Sequence, residues 1–283
     1  MTKHLLSLLI ITFIFFGVRG QDFPAYLKEN AVKIDNSDSL NKQVYDVLSG
    51  YRLIMIGEMH GTNEPVKFAT NLAELFASKG DSVQFGFEIP SDQMKTFLIL
   101  QTDSSVFRSE FFVNPSFDGK ASVAWAKAII LLSKNPRIKV FFYDLNKDET
   151  SDNEKRDSLM YGKIRSKIKE HLSWKTITIG GNVHNMLLPY KGKNKIAYYL
   201  CKDTTLNIAS KLCTLNHYYQ CGTMLNNRGN GLELQQVQTN SSLFSGVVGI
   251  DNYLLLFPNS MRNEYTGIFF TRTVTAAEMV KKK

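Results

Sequence analysis

Cysteine and histidine are scarce in this chain of 283 residues, which contains three cysteines and five histidines. The cysteines, Cys201, Cys213 and Cys221, lack the paired spacing of a structural zinc site. No HExxH motif is present for a zinc protease, no GxSxG elbow for a serine nucleophile, and no glycine-rich phosphate loop. These absences exclude the usual sequence signatures of three enzyme classes. For the cysteines, a disulfide that leaves one thiol free and three buried thiols are both open.

Long apolar runs are absent after the N-terminus, and no basic cluster is interleaved with aromatic residues. The apolar run at residues 5–16 follows Lys3 and is typical of a secretory signal peptide, with an uncleaved anchor as the alternative. Removing residues 1–20 leaves 263 residues, enough for one α/β domain, and lowers the formal net charge from +8 to +6. We therefore expect an exported, periplasmic or secreted chain with a single domain at residues 21–283. We expect no membrane span after cleavage and no nucleic-acid partner.

The most informative feature that is present is the end of the apolar, strand-like segment 51–56. After a glycine, it places a carboxylate and an imidazole two residues apart, at Glu58 and His60. Pro65 follows, and proline can open a helix because its missing N–H is not needed in the first turn. In an open α/β sheet, ligands bind just beyond the carboxyl ends of the strands. The junction predicts a site with Glu58 and His60, in which Glu64 is near enough to help orient the imidazole.

A second junction of the same kind follows the strand-like segment 175–179. Two glycines there lead into His184, whereas His217 lies inside a strand-like stretch and is interpreted as structural. Two further predicted strands end in Glu88 and Asp144. Because the carboxyl ends of parallel strands meet at one edge of a sheet, we expect these polar residues to converge. Carboxylates are costly to bury without a partner or a task, which favours a functional cluster.

The alternation of strand-like and helix-like segments predicts an α/β fold with a mostly parallel sheet, helices on both faces and extra strands in the C-terminal third. Apolar periodicity predicts helices at residues 39–48, 65–79, 90–100, 122–133 and 153–172. Strands are predicted at residues 51–56, 82–89, 138–144 and 175–179, and then at 195–201, 217–223, 252–257 and 267–273. The segment 102–120 has little regularity and is interpreted as a lid or loop.

Arg156 and Asp157 lie at the start of the helix predicted at residues 153–172. Asp157 shares the face that carries the apolar Met160 and Ile164, so its carboxylate needs a cation or a backbone donor. The alternative is an N-terminal acid stabilised by the helix dipole. Arg156 could point at the same edge of the sheet.

Such residues support two kinds of chemistry. A histidine can take a proton from water near neutral pH while a carboxylate fixes its tautomer, which favours hydrolysis by general base catalysis. Two histidines and two carboxylates could instead hold a divalent metal that activates water.

These motifs resemble the erythromycin-esterase-like proteins, whose superfamily also contains ChaN-like haem-binding lipoproteins and the Tiki/TraB metalloprotease group. The resemblance spans roughly residues 50–190 and rests on five stretches: IMIGEMHGTNE, VQFGFEIP, VFFYDL, NEKRDSLMYGKIRSKI and TITIGGNVHN. The esterases usually place two residues between the glutamate and histidine of the first motif, whereas only Met59 intervenes here.

The resemblance implies the α/β fold of this superfamily, with His60 as general base, Glu58 and Glu88 as supporting acids, and His184 and Arg156 lining the same cleft. We therefore expect a hydrolase that cleaves an ester or related bond of a small molecule without a cofactor or metal. The expected catalytic residues are His60, Glu58, Glu88 and His184, and the expected substrate-binding residues are Glu64, Asp144, Arg156 and Asp157. The alternatives are a ChaN-like haem-binding protein and a Tiki/TraB-like metal-dependent peptidase.

Overall fold

The structure, a computed structural model, describes residues 23–34, 40–94, 106–113, 119–146, 148–149, 155–227, 231–239, 250–259 and 262–280. Its strands are β1 (Val32–Lys33), β2 (Leu53–Glu58), β3 (Val83–Pro90), β4 (Ile138–Asp144), β5 (Lys175–Gly181), β6 (Leu212–Asn227), β7 (Leu232–Gln238), β8 (Asn252–Leu256) and β9 (Gly267–Val274). Its α-helices are α1 (Phe23–Asn30), α2 (Lys42–Leu48), α3 (Glu64–Ser78), α4 (Glu110–Val113), α5 (Val123–Lys134), α6 (Arg156–Glu170) and α7 (Ile196–Lys202). Short 3-10 turns occur at Asn182–Asn185 and Ala209–Lys211.

These strands form one mixed sheet in the order β1-β8-β9-β6-β2-β5-β3-β4, and β7 pairs with β6 outside this path. The central strand β2 runs parallel to β5 and β6, and parallel pairing continues through β3 and β4 on one side and β9 on the other. The antiparallel pairs are β1 with β8, β8 with β9, and β6 with β7. The predicted α/β fold, with a mostly parallel sheet and added C-terminal strands, is confirmed.

The apolar run that forms β2 is continuous because helices cover both faces of the sheet. Ile54 and Ile56 belong to the core cluster under α2, α3 and α5, while Leu53 and Met55 belong to the cluster under α6 and α7. All six residues of the strand are buried. Burying one large aliphatic side chain contributes roughly 1.5–3 kcal/mol, so this packing holds the strand end in a defined place.

The strand predicted at residues 195–201 is wrong. The chain there forms helix α7, in which Ile196, Ala197 and Leu200 are fully buried in the cluster that also contains Met160 and Ile164 of α6. The spacing of these three residues is that of one helix face. Tertiary packing against α6 therefore outweighs the β preference of the isoleucine and tyrosines in this segment.

Other element boundaries differ by a few residues from those predicted. Helix α2 begins at Lys42, since Asn41 caps it by accepting a hydrogen bond from the N–H of Val44 at 3.2 Å. Of the helix predicted at residues 90–100, Pro90 belongs to β3, and residues 95–100 lie outside the described part of the chain. In the segment interpreted as a lid or loop, residues 106–113 and 119–120 are described, and the side chain of Phe112 is fully buried.

Strand β6 continues past the end of β2, because Gly57 is in register with Asn216 and β6 extends to Asn227. Beyond that point the N–H of Leu225 donates a hydrogen bond to the carbonyl of Gly61, at 2.9 Å. Gly61 has a φ of +87°, and a Cβ at this position would lie 1.8 Å from the carbonyl oxygen of Leu225. Only glycine fits this contact, which fixes the segment that follows β2.

All three cysteines are free thiols; Cys213 is buried, and Cys201 and Cys221 are partly exposed. The structure therefore contains no disulfide, and only one of the three thiols is fully buried. No described helix has the length and apolar character needed to cross a membrane. The predicted signal peptide, residues 1–20, lies outside the described residues.

Candidate active site

The ends of four parallel strands bring polar side chains to one edge of the sheet. Glu58 closes β2, Asp144 closes β4, and His184 lies in the turn after β5. Glu88 lies where the pairing of β3 with β4 shifts register, an irregularity that re-aims a side chain. With His60 just after β2, these residues are joined by the hydrogen bonds and ion pairs described below.

His60 is held by the buried carboxylate of Glu58. Its Nδ1 lies 2.6 Å from Oε1 of Glu58, and because an ionised carboxylate only accepts, Nδ1 carries the proton. The other ring nitrogen, Nε2, makes no hydrogen bond to any described residue and lies 4.0 Å from Oε2 of Glu88. The imidazole side chain is 19% exposed. This geometry leaves the Nε2 lone pair of His60 able to accept a proton.

Burial and hydrogen bonding act against each other at this pair. Burial raises the pKa of Glu58, while the hydrogen bond and charge of His60 lower it. Burial lowers the pKa of His60, but the hydrogen bond to Glu58 raises it, and the result lies above the ordinary value of 6.5. Oε2 of Glu58 is buried without a hydrogen-bond partner in the described structure.

His184 has a carboxylate partner of its own. Its Nδ1 lies 2.6 Å from Oδ1 of Asp157, and the other oxygen of Asp157 accepts a hydrogen bond from Nζ of Lys195 at 3.2 Å. Burial opposes ionisation of Asp157, but His184 and Lys195 together hold its pKa below the ordinary value. The carboxylate of Asp157 is therefore paired with the side chains of His184 and Lys195, and it is not only an N-terminal acid stabilised by the helix dipole.

Nε2 of His184 is occupied, unlike that of His60. Nη1 of Arg156 lies 3.0 Å from it, and since a guanidinium only donates, this nitrogen accepts the hydrogen bond. The proton on Nδ1 then faces Asp157. In this arrangement His184 orients Arg156 and does not present a free base.

Glu88 is the centre of the cluster and is almost completely buried, with a side chain 1% exposed. Its Oε1 accepts hydrogen bonds from Nζ of Lys120 and Nη2 of Arg156, both at 2.9 Å. Its Oε2 accepts one from the N–H of Gly181 at 2.6 Å. Burial opposes ionisation, but the charge of Lys120, with a smaller effect from Arg156, holds the pKa of Glu88 well below its usual range.

Arg156 joins the carboxylates of two strands. Its Nη2 lies 2.9 Å from both oxygens of Asp144, and its Nε lies 3.2 Å from Oδ1. Burial lowers the pKa of Arg156, but the charges of Glu88 and Asp144 outweigh it and raise the pKa. The guanidinium is therefore always charged, and at 28% exposure its side chain reaches the outside of the cluster.

The glycines before His184 allow the two imidazoles to approach the same strand end. A Cβ at Gly181 would lie 3.1 Å from Nε2 of His60 and 3.4 Å from Cδ2 of His184. The first contact is tighter than ordinary van der Waals separation and the second is at its lower limit, so a side chain at position 181 would touch both rings.

Glu64 has a different neighbour from the one expected. Both of its oxygens accept a hydrogen bond from the N–H of Thr275, at 3.0 and 3.1 Å, and Oε1 also accepts one from the Thr275 hydroxyl at 2.6 Å. Glu64 thus anchors the segment after β9 at the start of α3. The expectation that it helps to orient His60 is wrong, since the orienting contact comes from Glu58.

Two lysines of the cluster were missed by the sequence reasoning. Lys120 ends the irregular segment 102–120, where no periodicity marks a buried position; its small neighbours in Gly119-Lys120-Ala121 are a weak signal of close packing. Lys195 directly precedes α7, and the mistaken strand assignment hid it. Both are nearly buried, and both bind carboxylates that the sequence did identify.

A divalent metal does not fit these groups. In the described part of the chain, no group of three or more histidine, cysteine, aspartate or glutamate side chains is placed to hold a metal ion. Both oxygens of Glu88 already accept hydrogen bonds, and the cations of Lys120 and Arg156 lie beside them. The positive charges of Lys120 and Arg156 would repel a metal cation.

Two tyrosines at the strand ends do not fit as haem ligands either. The hydroxyl of Tyr143 donates to the carbonyl of Ile179 at 2.9 Å, and that of Tyr265 donates to the carbonyl of Asn182 at 3.2 Å. Burial raises the pKa of both phenols, so neither is a tyrosinate near neutral pH. Of the two histidines at this edge of the sheet, His184 has both ring nitrogens in hydrogen bonds, whereas Nε2 of His60 bonds to no described residue.

No protein-family model matches the chain, and no curated protein matches it. Solved structures do match. A Bacillus cereus protein has a TM-score of 0.68 at 10% identity, covering 92% of this chain and 98% of its own. A succinoglycan biosynthesis protein has a TM-score of 0.63 at 9% identity, with the same coverage. The erythromycin esterase EreC, as a histidine-to-asparagine mutant in its open conformation, has a TM-score of 0.58 at 10% identity, covering 87% of this chain and 98% of its own.

The chain shares its fold with these three structures, among them the erythromycin esterase EreC. At identities of about 10%, the likeness concerns the fold, and at that level the resemblance expected from the motifs is confirmed. The erythromycin-esterase fold extends over nearly the whole chain, beyond the stretch that the motifs covered.

Proposed function

We propose that the protein is an exported hydrolase of the erythromycin-esterase-like type, which cleaves an ester or related bond of a small molecule with water activated by His60. The observation that carries this proposal is the state of the His60 ring. Nδ1 is held by Glu58 at 2.6 Å, Nε2 has no hydrogen-bond partner among the described residues, and the side chain is partly exposed. This is the arrangement that a general base needs.

In the proposed reaction, Nε2 of His60 removes a proton from water while the water oxygen forms a bond to the carbonyl carbon. Negative charge develops on the carbonyl oxygen, and Arg156 stabilises it, since its side chain is the most exposed of the cations in the cluster. The carbon–oxygen bond to the alcohol then breaks, and the leaving oxygen takes the proton back from His60. Glu58 stabilises the imidazolium that forms in between.

The same geometry predicts the pH dependence. A general base works only in its neutral form, and the hydrogen bond to Glu58 raises the pKa of His60 above 6.5. The rate of hydrolysis should therefore fall as the pH drops through a value above 6.5, and it should be constant on the alkaline side of that value. A pH profile of kcat/KM measures this directly.

The proposal is tested with the mature chain, residues 21–283, on a panel of p-nitrophenyl esters and lactones. The matched controls are His60→Asn, which keeps a donor for Glu58 but lacks the base, and His171→Asn, which alters a partly exposed histidine stacked on Trp174. We expect turnover by the unaltered protein and by His171→Asn only. If no ester, lactone, amide or peptide is cleaved faster than by His60→Asn while haem binds tightly, the haem-binding alternative replaces the hydrolase.

We propose further that the reaction needs no metal, because the cations of Lys120 and Arg156 already neutralise Glu88 and Asp144. EDTA should leave the rate unchanged. Loss of turnover in EDTA and its return with Mn²⁺ or Zn²⁺ would favour the metal-dependent peptidase instead.

Export is part of the proposal and rests on the N-terminal sequence. N-terminal sequencing of the protein recovered from the producing cell should find a chain that begins near Gln21. A chain that keeps Met1 and stays in the cytosol contradicts this part without affecting the chemistry.

A further inference from the structure

Lys120 takes no part in the reaction steps proposed above, yet it lies at the centre of the cluster. Its side chain is 8% exposed, and its Nζ lies 2.9 Å from Oε1 of Glu88 and 3.8 Å from Oδ2 of Asp144. Burying an ammonium group is costly unless it compensates carboxylates. The position of Lys120 therefore implies a specific electrostatic task.

The charges around Glu88 show what that task is. Glu88 and Asp144 are two carboxylates, and the single guanidinium of Arg156 is shared between them, with two of its nitrogens on Asp144. One positive charge cannot balance two negative ones. Lys120 supplies the second positive charge, at the oxygen of Glu88 that Arg156 also contacts.

This balance affects His60 because Oε2 of Glu88 lies only 4.0 Å from its Nε2. An imidazole between two carboxylates, Glu58 at Nδ1 and an uncompensated Glu88 beyond Nε2, would be stabilised as the imidazolium. An imidazolium cannot take a proton from water. With Lys120 present, the charge of Lys120 opposes the effect of Glu88, and Glu58 is the main group that favours the protonated ring.

The backbone holds Lys120 in a fixed relation to the base. A Cβ at Gly119, whose φ is +78°, would lie 2.8 Å from Cα of Gly61 and 2.8 Å from the carbonyl oxygen of Leu225. The residue before Lys120 thus packs on the residue after His60, and both pack on β6. This contact fixes the backbone of Lys120 near His60, and the hydrogen bond to Glu88 places its ammonium group.

We propose that Lys120 is a positioning residue, which neutralises Glu88 beside Arg156 so that the imidazole of His60 remains a proton acceptor at neutral pH. This inference rests on the proposed function in that His60 is taken to be the base. Among the described residues, the charged and titratable groups that face His60 or lie behind Glu88 are Glu58 on β2, Glu88 on β3, Lys120 before α5, Tyr143 and Asp144 on β4, Arg156 on α6 and His184 after β5.

The electrostatic balance at His60 agrees with this assignment. Burial lowers the pKa of His60, and the hydrogen bond to Glu58 raises it. The charge of Lys120 then lowers the pKa, with a larger effect than the charge of either Glu58 or Glu88, which raise it.

The test is a titration of the histidine ring protons by NMR, on the full mature chain labelled at histidine. The His60 signal is assigned by its loss in His60→Asn. In Lys120→Met we expect the pKa of His60 to rise by about one pH unit or more, because a nearby charge of the same sign as the imidazolium is removed. At a pH well below the pKa, the neutral fraction of the ring then falls about 10-fold.

Lys163→Met is the matched control. Lys163 also binds at this end of the sheet, to the carbonyl of Asp144 and to the Ser91 hydroxyl, both at 2.8 Å, but it does not contact Glu88. We expect the pKa of His60 to be unchanged in this variant. A His60 pKa that stays within about 0.2 units or falls in Lys120→Met, or that rises equally in Lys163→Met, overturns the inference.

If Lys120→Met does not fold, Glu88→Gln tests the same balance from the other side. Removing the carboxylate while keeping Lys120 leaves its charge uncompensated near His60, so the pKa of His60 should fall. An unchanged or raised pKa overturns the inference.

The titration needs no substrate, which separates this inference from the proposed function. A shift in Lys120→Met together with no turnover of any ester keeps the charge role of Lys120 and rejects the hydrolase. Turnover that depends on His60, together with an unchanged His60 pKa in Lys120→Met, keeps the hydrolase and rejects the charge role of Lys120. Where an ester is cleaved, the acid limb of kcat/KM should move to higher pH in Lys120→Met, which a merely structural role of Lys120 would not produce.

Discussion

The two histidine–carboxylate pairs of the site are alike at one ring nitrogen and different at the other. In both, Nδ1 lies 2.6 Å from a buried carboxylate, Glu58 for His60 and Asp157 for His184. Nε2 of His184 accepts a hydrogen bond from Arg156, whereas Nε2 of His60 makes none to a described residue.

The difference shows that a carboxylate partner alone does not identify a general base. The carboxylate fixes the tautomer of each ring, and the occupancy of the second nitrogen decides whether that ring can accept a proton. On this argument His60 does proton transfer, while His184 orients a cation.

Replacing each histidine by asparagine gives the largest contrast. His60→Asn should lower kcat/KM for a responsive ester by on the order of 10²–10⁴-fold, because it removes the proton acceptor. His184→Asn should cost only about 10-fold, the value of one hydrogen bond that orients Arg156. The measurement is the initial rate for both variants at equal folded concentration. Equal losses would remove the distinction between the two pairs.

Replacing Arg156 by methionine removes the group that makes the pairs different. Glu88 and Asp144 then share one remaining cation, so we expect the free energy of unfolding to fall by about 2–4 kcal/mol, less than for a fully buried ion pair because the side chain is 28% exposed. Denaturant unfolding measures this. Arg165→Met is the control, since it breaks a more exposed pair with Asp203 and should cost less. Equal costs would contradict a central role for Arg156.

A third histidine, His217, differs from both pairs because no carboxylate of the described residues is bonded to it. Burial lowers the pKa of His217 to about 3, and its Nε2 lies 3.0 Å from the Thr271 hydroxyl. The unfolded chain binds a proton at this residue below about pH 6.5 while the folded chain does not, so folding stability falls as the pH drops from about 6.5 towards 3.

The variant His217→Gln should lose this pH dependence. The difference between its free energy of unfolding and that of the unaltered protein should change by about 2 kcal/mol between pH 7.5 and pH 5, because one pKa unit corresponds to about 1.4 kcal/mol. Denaturant unfolding at the two pH values measures it. The pKa of His60 is raised instead, so its contribution has the opposite sign: it is complete below 6.5 and is lost as the pH rises through the folded pKa.

Gly181→Ala acts on both pairs at once, and its effect should be the smallest. The new methyl group would press on Nε2 of His60 at 3.1 Å and touch Cδ2 of His184 at 3.4 Å, which should reduce stability by about 1 kcal/mol and shift the ring of His60. Gly162→Ala in α6 is the control, with no atom within 4 Å of the added Cβ, and it should stabilise the protein by about 0.5–1 kcal/mol. Thermal unfolding of the two variants should therefore move in opposite directions.

Much of the fold followed from local patterns in the sequence. The buried run before Glu58 and the periodicity of α3 are strong signals, because a strand covered on both faces is continuously apolar and a helix on a sheet is amphipathic. The strand predicted around residues 196–202 was wrong because the local pattern there is ambiguous. A short segment rich in isoleucine and tyrosine satisfies both patterns, and packing against α6 decided it.

Part of the candidate site could be predicted from the sequence for a similar reason. Polar residues at the ends of apolar strands are visible in the sequence, and parallel pairing brings strand ends together. Lys120 could not be predicted as a site residue, because it neither ends a predicted strand nor belongs to an apolar periodic pattern. Glu64 was misassigned because closeness in sequence to His60 says nothing about which way its carboxylate points, and it binds Thr275 instead.

Strand ends depend on apolar patterns that are local along the chain, so the sequence alone predicts that the polar groups at those ends, Glu58, His60, Glu88, Asp144 and His184, meet at one edge of the sheet. It does not show that Lys120 and Lys195 join them. Only the tertiary structure decided which groups pair. Arg156 and Lys120 come from different segments and reach the same oxygen of Glu88. A hydrogen bond depends on tenths of an ångström, and packing sets those distances, so the free nitrogen of His60 and the occupied one of His184 can be distinguished only in the folded molecule.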